Sequence, residues 1–262
     1  MEIIVCIKQV PGTNSVEVDE KTGVLKRENV ASKINPYDLY ALETALALKE
    51  EFGAKVTALT MGPPQSKTVL EEAIWMGVDD AVILTDRQFA GADVLATAYT
   101  LAQGIKKLGN PTLIICGKQT TDGDTAQVGA ELAEVLDIPH VNNVISVREL
   151  TDKKIVVDAD METQIERQEI HFPCLFSVDK GVNIPRLPSY KRKKEYKAFT
   201  ITSYTLADFE DRNLEKYGLK GSPTQVERIF APEKSADSEM WEGSAIELSE
   251  RLYKQLKQEK FI

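Results

Sequence analysis

The sequence predicts an α/β fold: a doubly wound, mainly parallel sheet, extended by antiparallel strands and followed by a C-terminal wrapping arm. Three observations predict it. Four short runs, at residues 3–10, 55–61, 81–84 and 112–116, are nearly continuously apolar and mostly β-branched or aliphatic, as strands buried on both faces of a parallel sheet must be. Segments whose apolar residues recur at helical spacing alternate with these runs. Such alternation, with right-handed crossovers, winds helices onto both faces of one sheet.

The first run is followed by "VEVDEKTGVLKRE", which reads as a β-hairpin turning at residues 21–23, so that 13–33 form an insertion. Helix 38–52 carries Leu39, Leu42, Ala45, Leu46 and Leu48 around one broad face, and 66–76 does the same with Val69, Leu70, Ala73 and Ile74. Segments 92–108 and 125–136 follow suit. Gly53, Gly77 and Gly109 stand just past the periodic parts, where helices stop. After Pro139 the pattern changes to strands at 141–148, 154–160, 163–171 and 174–178, with "ELTDKK" as a turn. These are expected to extend the sheet in antiparallel fashion and to complete a domain spanning 1–183. Beyond it the core signal fades. "KGVNIPRLPSYKRKKEYK" holds two prolines and five Lys/Arg in the seven residues 191–197. A weakly patterned tail follows, and then a helix at 239–260 with an apolar stripe of Ile246, Leu248, Leu252 and Leu256. With so little core of its own, 184–262 is expected to be a docking loop and an arm that wraps a partner subunit.

A chain of 262 residues can bury about three quarters of the surface that its unfolded form exposes. The net charge of −9 argues against nucleic acid, because phosphate contacts need clustered Lys and Arg. Cys6, Cys116 and Cys174 lie far apart in apolar runs, without CxxC spacing, and are expected to be buried thiols in a reducing compartment. His140 and His171 form no ligand cluster, so no protein-held metal is expected. "MEIIVCIKQVPG" lacks the basic region of a signal peptide, and no apolar window approaches the length of a membrane span. A cytoplasmic location is expected. The sequence offers no HExxH, no Ser-His-Asp arrangement and no carboxylate pair with an acid/base context. A hydrolase or transferase would need such groups. A cofactor-binding protein would not, because its cofactor brings the chemistry.

In open α/β sheets, ligands bind beyond the carboxyl ends of the strands, where the strand order reverses. Four loops leave such ends: 10–12, 61–64, 85–91 and 117–124. The last is the richest. Gly117 and Gly123 give the backbone freedom, Thr120, Thr121 and Thr125 offer hydroxyls, and Asp122 or Asp124 can cap the helix that follows. Two readings stand: a plain capped turn, or a cradle whose backbone amides hold a phosphate while the carboxylates cap or meet a ribose. The loop is neither GxGxxG nor a GxxxxGK[ST] phosphate loop. "INPYD" at 34–38 starts a helix, with Asn35 suited to its N-cap and Pro36 to its first turn. It is also a candidate nucleotide contact on the same crevice.

Five stretches carry a resemblance that runs nearly end to end: "VCIKQVP", "NPYDLYALETALALKE", "ALTMGPPQSKTVLEEAIWMGVDDAVIL", "IICGKQTTDGDTAQVGAELAEVLDIP" and "DKGVNIPRLPSYKRKK". Together they resemble the β subunit of electron transfer flavoproteins. The chain departs from that family's pattern at Asp160, Met161 and Glu162, where glycines are common. The resemblance implies an adenine nucleotide α-hydrolase-like fold and a heterodimer with an α subunit, which carries FAD in a mobile domain and shuttles electrons to a partner dehydrogenase. It implies an adenine nucleotide in the β-subunit crevice, contacted by Cys6, Asn35, Pro36, Asp38, Met61, Gly117, Lys118, Gln119, Thr120, Thr121, Asp122, Gly123, Asp124, Thr125 and Gln127. It also implies a dehydrogenase-docking side chain in "PRLPSY", a stretch shorter than the family's version. Leu187 matches through the proline that follows it, and Tyr190 matches if no gap is allowed.

The family has two branches. In one the β-site nucleotide is a structural AMP. In the other it is a second FAD, which takes hydride from NADH and bifurcates the electrons between ferredoxin or flavodoxin and, through the α-subunit FAD, an acyl-CoA or 2-hydroxy acid dehydrogenase. "TDGDTAQVG" resembles the second branch more than the "DDDCNQTG" type, "NPYDLYALE" lacks the Cys-Glu that usually follows in the AMP branch, and "LDIPHVNNV" lacks its Trp-Pro-Gln-Gly form. An ATP-hydrolysing or nucleotide-sensing domain of the stress-protein type is disfavoured by the long tail and by the missing Gly-rich phosphate loop.

Overall fold

The computed structural model describes residues 1–12, 32–195, 199–227 and 238–262. The chain divides into two compact units, residues 1–17 with 26–227, and residues 18–25 with 228–262. The predicted hairpin turn at 21–23 lies outside the described residues.

In the first unit the elements follow as β1 (Glu2–Cys6), β2 (Gln9–Pro11), β3 (Ser32–Ile34), α1 (Pro36–Phe52), β4 (Lys55–Met61), α2 (Lys67–Met76), β5 (Asp80–Leu84), α3 (Val94–Leu108), β6 (Leu113–Gly117), α4 (Val128–Leu136), β7 (His140–Leu150), β8 (Lys154–Asp160), β9 (Ile165–His171), β10 (Cys174–Val178), α5 (Tyr190–Glu195) and β11 (Thr202–Tyr204). A nine-stranded sheet has the order β11-β5-β4-β1-β6-β10-β7-β8-β9. From β11 to β7 every neighbouring pair is parallel. The β7–β8 and β8–β9 pairings are antiparallel, so that among the described strands of this sheet β8 alone runs against the others. The predicted run of four antiparallel strands is therefore corrected: β10 enters between β6 and β7 and runs parallel to both. Its residues, "CLFSV", are all buried, which is the mark of an interior parallel strand. The long β7 pairs with β10 through its first half and with β8 through its second. The predicted strand over 3–10 is in fact two: β1 ends at Cys6, and β2 turns off to pair with β3 at the base of the insertion.

Side chains alternate between the sheet faces with the period of two that strands impose. Ile3 and Val5 join Leu42, Leu46, Leu70, Ile74, Ile115 and Phe176 under α1 and α2. Ile4 and Cys6 join Leu59, Leu101, Ile114, Cys116, Leu132 and Leu175 under α3 and α4. Burying one such aliphatic side chain is worth about 1.5–3 kcal/mol, so the two layers hold the sheet from both sides. The helices stop at Gly53, Gly77 and Gly109 as expected.

The chain keeps contributing to this unit well past residue 183. Arg186 pairs with Glu43 at 2.8 Å and with Glu50 at 2.5 Å on α1, and Lys193 lies over the Trp75 ring. β11 extends the sheet beside β5. Phe209 and Tyr217 are each 1% exposed, and Phe209 stacks on Phe89 with ring centroids 5.6 Å apart.

In the second unit the main described element is α6 (Ala245–Gln258), opened by a capping box between Ser244 and Glu247. None of its residues is buried; Ile246 and Leu252 are exposed, as are Phe261 and Ile262 beyond its end.

Candidate functional site at the β1/β6 switch point

β1 is flanked by β4 on one side and β6 on the other, so the strand order reverses at β1/β6, where a crevice opens beyond the carboxyl ends. Of the four predicted loops, 85–91 is taken up by the chain itself: Thr85 donates to Tyr204, Leu206 to the Asp86 carboxylate and Leu219 to Ala90. The loop after β6 is not covered in this way, and residues 121–127 are exposed.

That loop is fixed from below by a buried polar clamp. Asn35 and Asp38 are 0% and 5% exposed. The Asn35 amide group donates to Asp38 at 2.9 Å and to the Gln119 carbonyl at 2.8 Å, and its oxygen accepts from the Thr121 N–H at 3.2 Å. Asp38 accepts from the Lys8 N–H at 2.7 Å and from the Gly117 N–H. The start of α1, the end of β1 and the loop after β6 thus share one network. Burial pushes the Asp38 carboxyl up to about 7, against the opposing pull of its hydrogen bonds and of Lys8. Gly117 sits against this clamp: a Cβ there would lie 2.4 Å from Asp38 Oδ1 and 2.7 Å from the Tyr37 carbonyl carbon. Here glycine is required by close approach, not by its backbone angles.

Asn35 occupies the N-cap position of α1 and Pro36 the first turn, as expected, but the Asn35 side chain makes no capping bond. It is spent on the loop instead. The expected capping by Asp122 or Asp124 is also corrected. α4 begins at Val128, not 125, and its N-cap, Gln127, makes no side-chain cap. Asp122 turns back to Lys8, with Nζ at 2.8 Å from each carboxylate oxygen. Burial works against its charge, yet Lys8 holds the carboxyl below its usual range. Asp124, at a φ of 50°, accepts from the Gln119 side chain at 2.9 Å. Lys118 is engaged with Asp179 at 2.7 Å, which raises its ammonium.

The consequence is electrostatic. The two carboxylates that would repel a phosphate are occupied by Lys8 and Gln119, while the first amides of α4 lack a side-chain cap and have no preceding turn to accept them. Those amides carry the positive end of the helix dipole. This donor set fits an anionic group such as a nucleotide phosphate. Cys6 and Cys116, at the carboxyl ends of β1 and β6, belong to one apolar cluster, and Met61, half-buried, packs against it. Thr120, Thr121, Gly123 and Thr125 line the loop rim, and Gln127 leads into α4. Leu187 and Tyr190 are not drawn into the crevice. They are 87% and 70% exposed, on the segment that Arg186 ties to Glu43 and Glu50. Glu50 stands twelve residues along α1 from Asp38, a rise of about 18 Å. Lys8 is the member that sequence reasoning missed. Its signal was a lone cation inside the run 3–10, two residues past the end of β1.

Comparisons with known proteins give the family. A family model described as the electron transfer flavoprotein domain matches residues 22–204. The chain is 43% identical over 266 residues to subunit CarD of the caffeyl-CoA reductase-Etf complex of Acetobacterium woodii, with both chains covered in full. It is 43% identical over 267 residues to an electron transfer flavoprotein subunit beta of Clostridium acetobutylicum, again over both full lengths. Protein FixA of Bradyrhizobium diazoefficiens is 41% identical over 90% of this chain and 84% of its own. With this match and these identities over its full length, the chain belongs to the β-subunit family of electron transfer flavoproteins.

Proposed function

We propose that this chain is the β subunit of a bifurcating electron transfer flavoprotein and that its crevice holds FAD. The observation that carries the reading is the loop 117–127: Asp122 is paired with Lys8 and Asp124 accepts a hydrogen bond from Gln119, and its amides at the start of α4 are left without a side-chain cap. Those amides would hold the diphosphate, and the Asn35–Asp38 clamp would keep the loop in place while they do so. Cys6, Met61 and Cys116 would present an apolar floor. The chemistry that the flavin supplies when bound is hydride acceptance from NADH and release of the pair as single electrons, one to ferredoxin or flavodoxin and one through the α-subunit FAD to an acyl-CoA or 2-hydroxy acid dehydrogenase. Similarity to a subunit of a named reductase-Etf complex supports this branch. The alternative is a structural AMP in the same cradle, since the diphosphate site would take either nucleotide's phosphate.

The α subunit is the partner that the apolar residues of 238–262 would cover. Ile246 at 74% and Phe261 at 77% exposure are placed for a protein surface. Leu187 or Tyr190 would meet the dehydrogenase. No described helix is long and apolar enough to cross a membrane, in keeping with a cytoplasmic heterodimer. Anaerobic titration of the purified heterodimer with NADH tests the reading. Bleaching of flavin absorbance is expected. Flavin that stays oxidised under NADH, yet still exchanges electrons with the dehydrogenase, would establish the AMP alternative.

A further inference from the structure

We propose that Cys6 and Cys116 are a redox modification site, able to close a reversible disulfide between the carboxyl ends of β1 and β6. The two residues are direct partners in the parallel register of β1 and β6. Neighbouring strands lie about 4.8 Å apart, inside the Cα separation of about 4.4–6.8 Å that a disulfide spans. Both side chains project to the α3/α4 face, where they belong to one apolar cluster. The neighbouring Cys6 thiol, burial and the nearby Asp38 carboxylate together keep the Cys116 thiol protonated. Cys174 offers an internal contrast. It is also buried and free, but it pairs with Leu113 and faces the opposite layer.

The oxidant is a peroxide. The sulfur of Cys6, the more exposed residue of the two at 9% against 5%, attacks one peroxide oxygen. A sulfenic acid forms, the O–O bond breaks, and the first water leaves with the thiol proton. The Cys116 sulfur then attacks the sulfenic sulfur, forming the S–S bond and releasing its hydroxyl as a second water with the Cys116 proton. Two thiols lose two electrons and hydrogen peroxide gains them. A small dithiol reductant reverses the step by exchange. The pair's chemistry is independent of which nucleotide the crevice takes.

The test is non-reducing peptide mass spectrometry on the full-length chain, treated with hydrogen peroxide and then alkylated with iodoacetamide under denaturing conditions. After trypsin, a disulfide should join peptide 1–8 to peptide 108–118, which contain Cys6 and Cys116. It should vanish on prior reduction with dithiothreitol and be absent from Cys6→Ser and Cys116→Ser. It should persist in Cys174→Ser, which keeps the result interpretable if a serine at either paired position impairs folding. Recovery of both cysteines as alkylated thiols, as separate sulfinic or sulfonic acids, or in links between chains would overturn the proposal.

Discussion

Gly117→Ala is expected to empty the crevice of its nucleotide and to lower stability by about 1–3 kcal/mol. The added methyl would meet Asp38 Oδ1 at 2.4 Å, the Tyr37 carbonyl carbon at 2.7 Å and the Asp38 nitrogen at 2.9 Å. Two of these three are backbone atoms at the start of α1, which cannot swing aside as the tip of a long side chain can. Either α1 moves away from β6 or the loop lifts. Both break the Gly117 N–H contact to Asp38 and displace the residues that Asn35 holds. Gly123→Ala is the matched control: its Cβ would have only the Thr120 hydroxyl, at 3.4 Å, and stability should change by less than about 0.5 kcal/mol. Thermal unfolding and nucleotide content of the two variants check this. Full content and an unshifted midpoint in Gly117→Ala would contradict the packing account.

Asp38→Ala should cost more. It leaves the Lys8 N–H, the Gly117 N–H and one Asn35 amide hydrogen without their acceptor beside a buried side chain, and each buried unsatisfied group costs about 1–3 kcal/mol. The pH dependence separates charge from hydrogen bonding. Burial raises the Asp38 carboxyl from 3.8 to about 7, so the folded chain binds this proton more tightly than the unfolded chain does. The resulting stabilisation is fully present below the unfolded value and is lost as pH rises through about 7. Between about pH 8 and about pH 5, the wild type should therefore gain stability relative to Asp38→Asn, which has no proton to take up. Urea unfolding of both proteins across that range measures the difference. Parallel profiles would mean that Asp38 is not the titrating group.

The layered part of the fold was legible because each interior strand carries its burial in its own residues. "KVTALTM" and "AVIL" can only be strands with cover on both sides. "CLFSV" carried the same signature but was grouped with its polar neighbours. Strand direction is a property of pairing and not of one segment, so the parallel run through β10 to β7 could not be read locally. The start of α4 was misplaced by three residues because Asp124 and Thr125 have the chemistry of a cap, whereas their partners lie elsewhere in the fold. Asn35 presents the same problem. A side chain that suits an N-cap is claimed by Gln119 and Thr121, more than eighty residues away, and no sequence spacing encodes that. Lys8 was passed over because a single cation just past a strand end is unremarked until the fold brings Asp122 beside it. Leu187 and Tyr190 are both exposed, so their burial does not choose between them as the docking side chain.

The central claim, a nucleotide cradle at the β1/β6 switch point that takes a flavin, is tested most directly by nucleotide content. The chain would be purified with its α subunit and denatured, and the released FAD and AMP quantified by chromatography. Two FAD per heterodimer and no AMP is the predicted result. One FAD with one AMP would contradict the flavin assignment and leave a cradle that holds a structural nucleotide.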